Sequence, residues 1–534
     1  MRLRTEAAAL AAAALVFLVP GLVTHEPWKT HDVVAIEIVA HMHASGDWLV
    51  PRLAAEPWLE RPPLYHWSAL AFASALQPLL PLHGAARVAS AAWFLLALAF
   101  AWAAARHAAG ARDPRRAGPA AALLLLGSLG LLVHAHEALP ELAALAASFA
   151  GHGFLARAAR HPYAAGAAFG LAAGAAFLAS GPAVPVALAV AAVASLALGR
   201  AEARAGAPAF TACALFSAGA LVAAWVVPLA LREPELARTW VASLAPQGEF
   251  AANLAYFAAA AGWFAWPAWP IAAWTLWAQR RELREPALIG PAAGAAAALV
   301  AIASLGPARD VQLVALLAPL VLLAAQGASR LPRGAARALD WFAVLACGFF
   351  AALVWLGYVA MTTGWPPRIA RNFAKTAPGF AAEFDTVAFL AAAALTLGWC
   401  AALALVRAPA LRPLVRWAAG MTLLWGLFAL LWLPWADYQK SYRAVALQLR
   451  AQLPASLPCV AWIGLGASQR AALRYHAAIE LRRYDPARPL GCAALVVQGR
   501  PAPEPAPPPG PWRKVADLGR PGDKAERYRL YLAP

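Results

Sequence analysis

Runs of about twenty apolar residues follow one another along most of this chain. A hydrocarbon layer of ~30 Å asks for ~20 such residues per helical crossing. In lipid every backbone polar group must be satisfied, so a spanning segment is a helix or part of a closed barrel. A barrel would show short alternating segments, and none are visible. The runs lie near 7–23, 86–105, 118–135, 140–157, 165–179, 181–198, 209–230, 256–278, 286–305, 310–326, 338–362, 386–407 and 415–434. Composition agrees: 62% of the 534 residues are hydrophobic and 13% charged, against roughly a quarter charged in soluble domains. The fold class expected is an all-α polytopic membrane protein with about thirteen transmembrane helices.

Charge sets the orientation. The net charge is +17. The basic clusters are Arg2/Arg4, Arg106/Arg112/Arg115/Arg116, Arg157/Arg160, Arg200/Arg204, Arg280/Arg281/Arg284, Arg330/Arg333/Arg337 and Arg407/Arg412/Arg416. All fall in alternate connections, on the side of the N-terminus. Lys and Arg mark the cytoplasmic side, so residues 24–85, 231–255, 306–310, 363–385 and 435–534 are expected outside. The apolar stretch 67–81 would reverse this pattern as a span, and it reads instead as a helix lying on the outer surface. Without aromatic interleaving, the basic clusters argue against nucleic acid as a partner. The N-terminal run lacks a small-x-small cleavage site before Thr24 and reads as a retained helix.

The character changes after residue 434. Residues 435–534 predict a small extracytoplasmic α/β domain, with strands at Val460–Ile463, Ala493–Val497 and Tyr528–Leu532 and a helix over Ser468–Ile479. A proline-rich turn occupies 501–511. The membrane unit is then 1–434, with 24–85 as its first outer loop. Cys459 and Cys492 each precede a strand and can pair outside the cytoplasm. Cys213, Cys347 and Cys400 sit in apolar runs and read as small core residues.

Ionisable residues gathered on one side of a membrane protein are candidates for function. The first outer loop carries His25, Glu26, His31, Asp32, Glu37, Asp47, Glu60 and Arg61 among Trp28, Trp48, Trp58, Tyr65 and Trp67. Solvated loop charges explain half of such cases. The aromatics argue for a loop lying on the membrane, and Pro62-Pro63 stiffens it just after Glu60-Arg61. A second set is His134, His136, Glu137 and Glu141. Glu141 follows Pro140 and can complement a helix dipole, and the two histidines read as capping or interfacial residues as readily as ligands. A third set is Arg309, Asp310 and Gln312, where Arg309 suits an anion such as a lipid phosphate. No His/Asp/Glu spacing specifies a metal.

The run His31–Trp67 resembles the first outer loop of polyprenyl-phosphate-sugar glycosyltransferases, the bacterial aminoarabinose-lipid A transferases and their protein O-mannosyltransferase relatives. It carries Ala44-Ser45-Gly46-Asp47-Trp48-Leu49-Val50-Pro51 and Glu60-Arg61-Pro62-Pro63-Leu64-Tyr65 in the order and spacing of that family. Phe177–Pro182, FLASGP, resembles the family's FLTKGP, and Glu141 stands where the family usually has Asp. His31 and Ser180 depart from the pattern: the family has an acidic residue at the first position and lysine at the second.

The resemblance implies a GT-C fold and an inverting transfer outside the inner membrane. The donor it implies is a polyprenyl-phosphate-linked sugar, and the acceptor an envelope glycolipid such as lipid A. It implies no nucleotide, and a divalent metal is possible in the class but not expected. Asp32 is then the candidate base, or orients the nucleophile, with Glu60 and Glu141 beside it. If the first acidic position carries the chemistry, His31 replaces it. Arg61 and Arg309 are candidates for the leaving phosphate. His31, Glu37, Tyr65 and His136 complete the expected substrate contacts. Two alternatives are weighed. A transporter or flippase predicts mid-helix charges and repeated halves, and neither is seen. A non-catalytic homologue is motivated by His31 and Ser180.

Overall fold

The computed structural model describes residues 2–109, 113–198, 201–246, 249–405, 410–455, 457–486, 491–504 and 510–533. Arg112, Arg200 and Arg407, the side chains of Arg2 and Arg4, and residues 505–509 of the proline-rich segment lie outside the described residues.

Each apolar run is helical. Helix α1 is Arg2–Leu18. The first loop folds as α2 (His31–Ser45), the short hairpin β1 (Arg52–Leu53) and β2 (Glu56–Pro57), and α3 (Leu64–Leu76). There follow α4 (Leu82–Ala109), α5 (Pro114–Leu126), α6 (Leu131–His134), α7 (Glu141–Leu155), α8 (Pro162–Ser180) and α9 (Ala183–Leu198). Next come α10 (Ala201–Arg232), α11 (Pro234–Ser243), α12 (Phe250–Phe264), α13 (Ala268–Ala278), α14 (Pro286–Ser304) and α15 (Val314–Gly327). The membrane part closes with α16 (Arg333–Thr363), α17 (Pro367–Thr376), α18 (Thr386–Leu405), α19 (Arg412–Leu427) and α20 (Leu433–Lys440). Among the described residues eight helices are individually long and apolar enough to cross a membrane, and the chain is a multi-pass membrane protein. The stretch expected on the surface is α3, which packs on α2 and α4.

Two runs that read as single spans are broken. The 118–135 run divides into α5 and α6, and the 256–278 run into α12 and α13. The breaks face each other. Leu129 N–H donates to the Trp266 carbonyl at 3.1 Å, and Gly130 N–H to the Phe264 carbonyl at 2.9 Å. These two amides thus find partners where water is scarce. Gly130 is required, because a Cβ there would lie 2.4 Å from the Phe264 ring.

The C-terminal segment carries α21 (Arg443–Gln452), β3 (Val460–Ile463), α22 (Ala467–Ala477), β4 (Leu481–Arg483), β5 (Ala494–Gly499), β6 (Arg513–Leu518) and β7 (Arg527–Leu532). The sheet order is β4-β3-β5-β7-β6. Strands β3, β4 and β5 are parallel, while β7 runs antiparallel to β5 and β6. β4 and β6 were not expected, being short and arginine-bearing or weakly apolar. Cys459 and Cys492 are joined.

The sheet does not close its core alone. Val33, Ile38 and Met42 of α2 and Leu53 and Ala54 of the hairpin share one apolar cluster with Val445, Leu449, Val460, Ala472 and Leu530. The first loop and the last hundred residues are therefore clamped together over one end of the helix bundle.

Candidate active site

Four of the segments expected outside, 24–85, 231–255, 306–310 and 435–534, meet the 180–182 turn around two adjoining cavities. The first, of about 450 Å³, is mainly apolar. It lies between the 59–62 loop, the Ser180-Gly181-Pro182 turn, α11 and the 305–309 connection. Gly181 makes that turn with φ +86°, a conformation side chains resist. The second cavity, of about 500 Å³, lies under α2 and the first turn of α22. His31, His66, Tyr256, Asp310 and Ser468 face it. Glu60, Arg61, Glu141 and Arg309 line both cavities and form a charged collar between them.

Inside the collar, Arg61 Nε and one terminal nitrogen each lie 2.7 Å from Glu141 Oε1. Glu141 is placed by opening α7 directly after Pro140, with its side chain 8% exposed. Arg309 reaches Glu60 from the 305–309 connection. Its backbone N–H donates to Gln312 Oε1 at 2.9 Å, which fixes the turn entering α15. Glu60 also stands 3.6 Å from Arg61. The arginines are opposed by two carboxylates, so an arriving anion must compete for them.

Asp32 is not part of this collar. It is fully buried and lines neither cavity. Arg87, also fully buried, grips it from α4 with contacts of 3.0 and 2.6 Å. Trp28 N–H and Ala138 N–H donate to the same carboxylate at 3.0 and 2.8 Å. Arg87 Nη1 donates to the His25 carbonyl at 2.6 Å, and Nη2, which also holds Asp32, to the Glu26 carbonyl at 3.2 Å. Burial would raise the Asp32 pKa, but the Arg87 charge and hydrogen bonds hold it low. Every lone pair is used by protein groups, and the carboxylate ties the start of α2 to Arg87 of α4.

The residue one step earlier takes the exposed position. His31 opens α2 and faces the second cavity. Burial holds its imidazole below the ordinary 6.5, against the pull of Glu141, so it is neutral at pH 7. His66, on α3, is pushed by burial to about 4, and its Nδ1 has no hydrogen-bond partner among the described residues.

Three other expected contacts do not reach the cavities. Glu37 is buried between α2 and the C-terminal segment, where it accepts from Ala54 N–H at 3.2 Å. Tyr65 is buried with its hydroxyl 2.6 Å from Ser90 Oγ. His136 is stacked on Trp425, centroids 3.9 Å apart, and its Nε2 lies 2.9 Å from the Phe17 carbonyl. Tyr65 and His136 pack the bundle and Glu37 the seam with the C-terminal segment, and none of the three lines either cavity. His134 holds Glu137 at 2.6 Å.

Sequence reading missed Arg87, His66, Tyr256 and Ser468. Arg87 left a signal, as a charge inside an otherwise apolar run. The other three left none, because only folding brings them to the cavity. Among the described residues no three His, Cys, Asp or Glu gather as a metal-ligand set.

No protein-family model matches the chain, and no curated protein matches it in sequence. Its fold is shared with solved structures. The crystal structure of ArnT from Cupriavidus metallidurans bound to undecaprenyl phosphate has a TM-score of 0.68 at 19% identity, covering 98% of this chain and 97% of that one. The apo state of that protein gives 0.69 at 18%, covering 99% and 98%. Identity this low speaks to architecture. The fold is that of these structures, helical and polytopic with a small C-terminal α/β region, as the sequence led one to expect.

Proposed function

We propose that the protein is an inverting glycosyltransferase that moves a sugar from a polyprenyl-phosphate donor to an envelope glycolipid, such as lipid A or another periplasmic acceptor. One observation carries this reading: an apolar cavity and a polar cavity meet at a collar bearing Arg61 and Arg309. A lipid-linked sugar has the same order of parts, with hydrocarbon, phosphate and sugar in sequence. That the shared fold includes a structure of ArnT bound to undecaprenyl phosphate supports the choice of carrier.

The chemistry then follows from the residues present. The acceptor nucleophile attacks the anomeric carbon, and the bond from that carbon to the phosphate oxygen breaks. Charge grows on the departing phosphate, and the two guanidinium groups stabilise it. His31 takes the acceptor proton in the place first assigned to Asp32, since a neutral imidazole facing the cavity can do so and a saturated carboxylate cannot. Glu60 and Glu141 orient the arginines.

The arrangement proposed around this site is a membrane unit of residues 1–434 and a C-terminal domain of 435–534 on the periplasmic face of the inner membrane. The arginine-rich connections at the opposite helix ends support that orientation, and so does the Cys459–Cys492 pair.

The test is mass spectrometry of lipid A and envelope glycans from a deletion strain, with binding of undecaprenyl phosphate by the purified protein. Loss of one sugar, restored by the wild-type gene but not by Arg309→Ala, is expected. Unchanged glycans together with no binding of undecaprenyl phosphate would reject the reading.

A further inference from the structure

The collar's charges cancel, but its two pairs are built differently. Arg61 is bound to Glu141, a nearly buried carboxylate fixed at a helix start. The Arg309 guanidinium has Glu60 as its one charged partner among the described residues. Both members of that pair are about a third exposed, at 37% and 32%, and they sit where the cavities meet. Glu60 comes from a loop rather than a helix, and Arg61 lies 3.6 Å away as a second cation. It can release Arg309 without being stranded. Exposed pairs of this kind are weak enough to exchange.

Resting on the phosphate role of Arg309 given above, we propose that Glu60 is a displaceable internal anion. It fills the phosphate position on Arg309 between turnovers and competes there with the lipid carrier. The reaction gives that competition a direction. The donor is a phosphodiester with one negative charge. Transfer breaks the bond between the anomeric carbon and the phosphate oxygen, leaves the electron pair on the phosphate, and sends the acceptor proton to the base. The spent carrier is a monoester with up to two charges, which the arginines hold harder than they held the donor. The return of Glu60 to Arg309 opposes that extra hold and promotes release of the carrier.

The experiment measures binding of undecaprenyl phosphate to the full-length protein in zwitterionic nanodiscs, with undecaprenol as the uncharged control. Glu60→Gln and Glu60→Ala are each expected to bind undecaprenyl phosphate about threefold more tightly, the scale of an exposed pair, and undecaprenol unchanged. Arg309→Ala is expected to lose about tenfold or more in affinity. Equal or weaker phosphate binding by both Glu60 variants, with Arg309→Ala still impaired, overturns the displacement and leaves the phosphate site standing. Equal tightening toward undecaprenol also overturns it, because the cause would then be cavity shape. Wild-type affinity in Arg309→Ala removes the phosphate site, and the proposal falls with it.

Discussion

Two ion-pair assemblies sit close together beneath the first loop, and they are built to opposite ends. Asp32 and Arg87 are both fully buried, and every acceptor position on the carboxylate is filled by protein. The collar of Glu60, Arg61, Glu141 and Arg309 opens on two cavities, and its outer pair is a third exposed. Saturation makes the first a fixed fastening with nothing left to offer a ligand. Incomplete enclosure makes the second exchangeable. Sequence position does not separate them, since Asp32 and His31 are neighbours, yet one belongs to the fastening and the other faces the cavity.

The contrast is most easily broken at Asp32. Asp32→Asn leaves Arg87 uncompensated in the interior and is expected to cost about 3–5 kcal/mol of stability, read as a lowered unfolding midpoint in detergent. A normal midpoint with lost transfer would return Asp32 to the chemistry. Arg309→Ala should do the reverse, lowering transfer by about 10²–10³ while the midpoint holds. His31→Gln is expected to slow transfer about 100-fold. In the wild type the rate should be level through neutral pH and fall in acid below 6.5, as the imidazole gains its proton. His31→Gln should lack that acid limb, and its persistence would exclude His31 as the base.

The smallest effect concerns Glu37, which lies between α2 and the C-terminal segment. Burial raises its carboxyl from 4.5 to about 7, over the opposing pull of Ala54 N–H, Arg474 and Arg470. Folding therefore takes up a proton between these values. The stabilisation is complete below pH 4.5 and is lost as pH rises through 7. Glu37→Gln should flatten this dependence in unfolding measurements across pH 5–8.

The apolar runs were legible because length and hydropathy state a helix directly, and three of the tail's five strands because they alternate with turns. The breaks at Gly127–Gly130 and Ala265–Pro267 were not, since both lie within apolar sequence and are stabilised by each other across the bundle. At the site, Glu60, Arg61, Glu141 and Arg309 were named from charge and neighbouring proline, and folding brought them together. The enclosure of Asp32 was not legible, because its partner Arg87 lies 55 residues away on another helix. Burial of a carboxylate depends on such a partner, and no local pattern reveals it.

Because Ala467 and Ser468 form part of the roof of the polar cavity, the order of synthesis matters. Chains are made from the N-terminus, so the four collar groups are all present once residue 309 has emerged. More than 150 residues must still follow before the roof exists. On the function proposed above, a nascent or prematurely terminated chain would hold a carrier-binding groove with an uncovered sugar chamber, open to water as a competing nucleophile. Completion of the last hundred residues would then close the cavity as well as the fold.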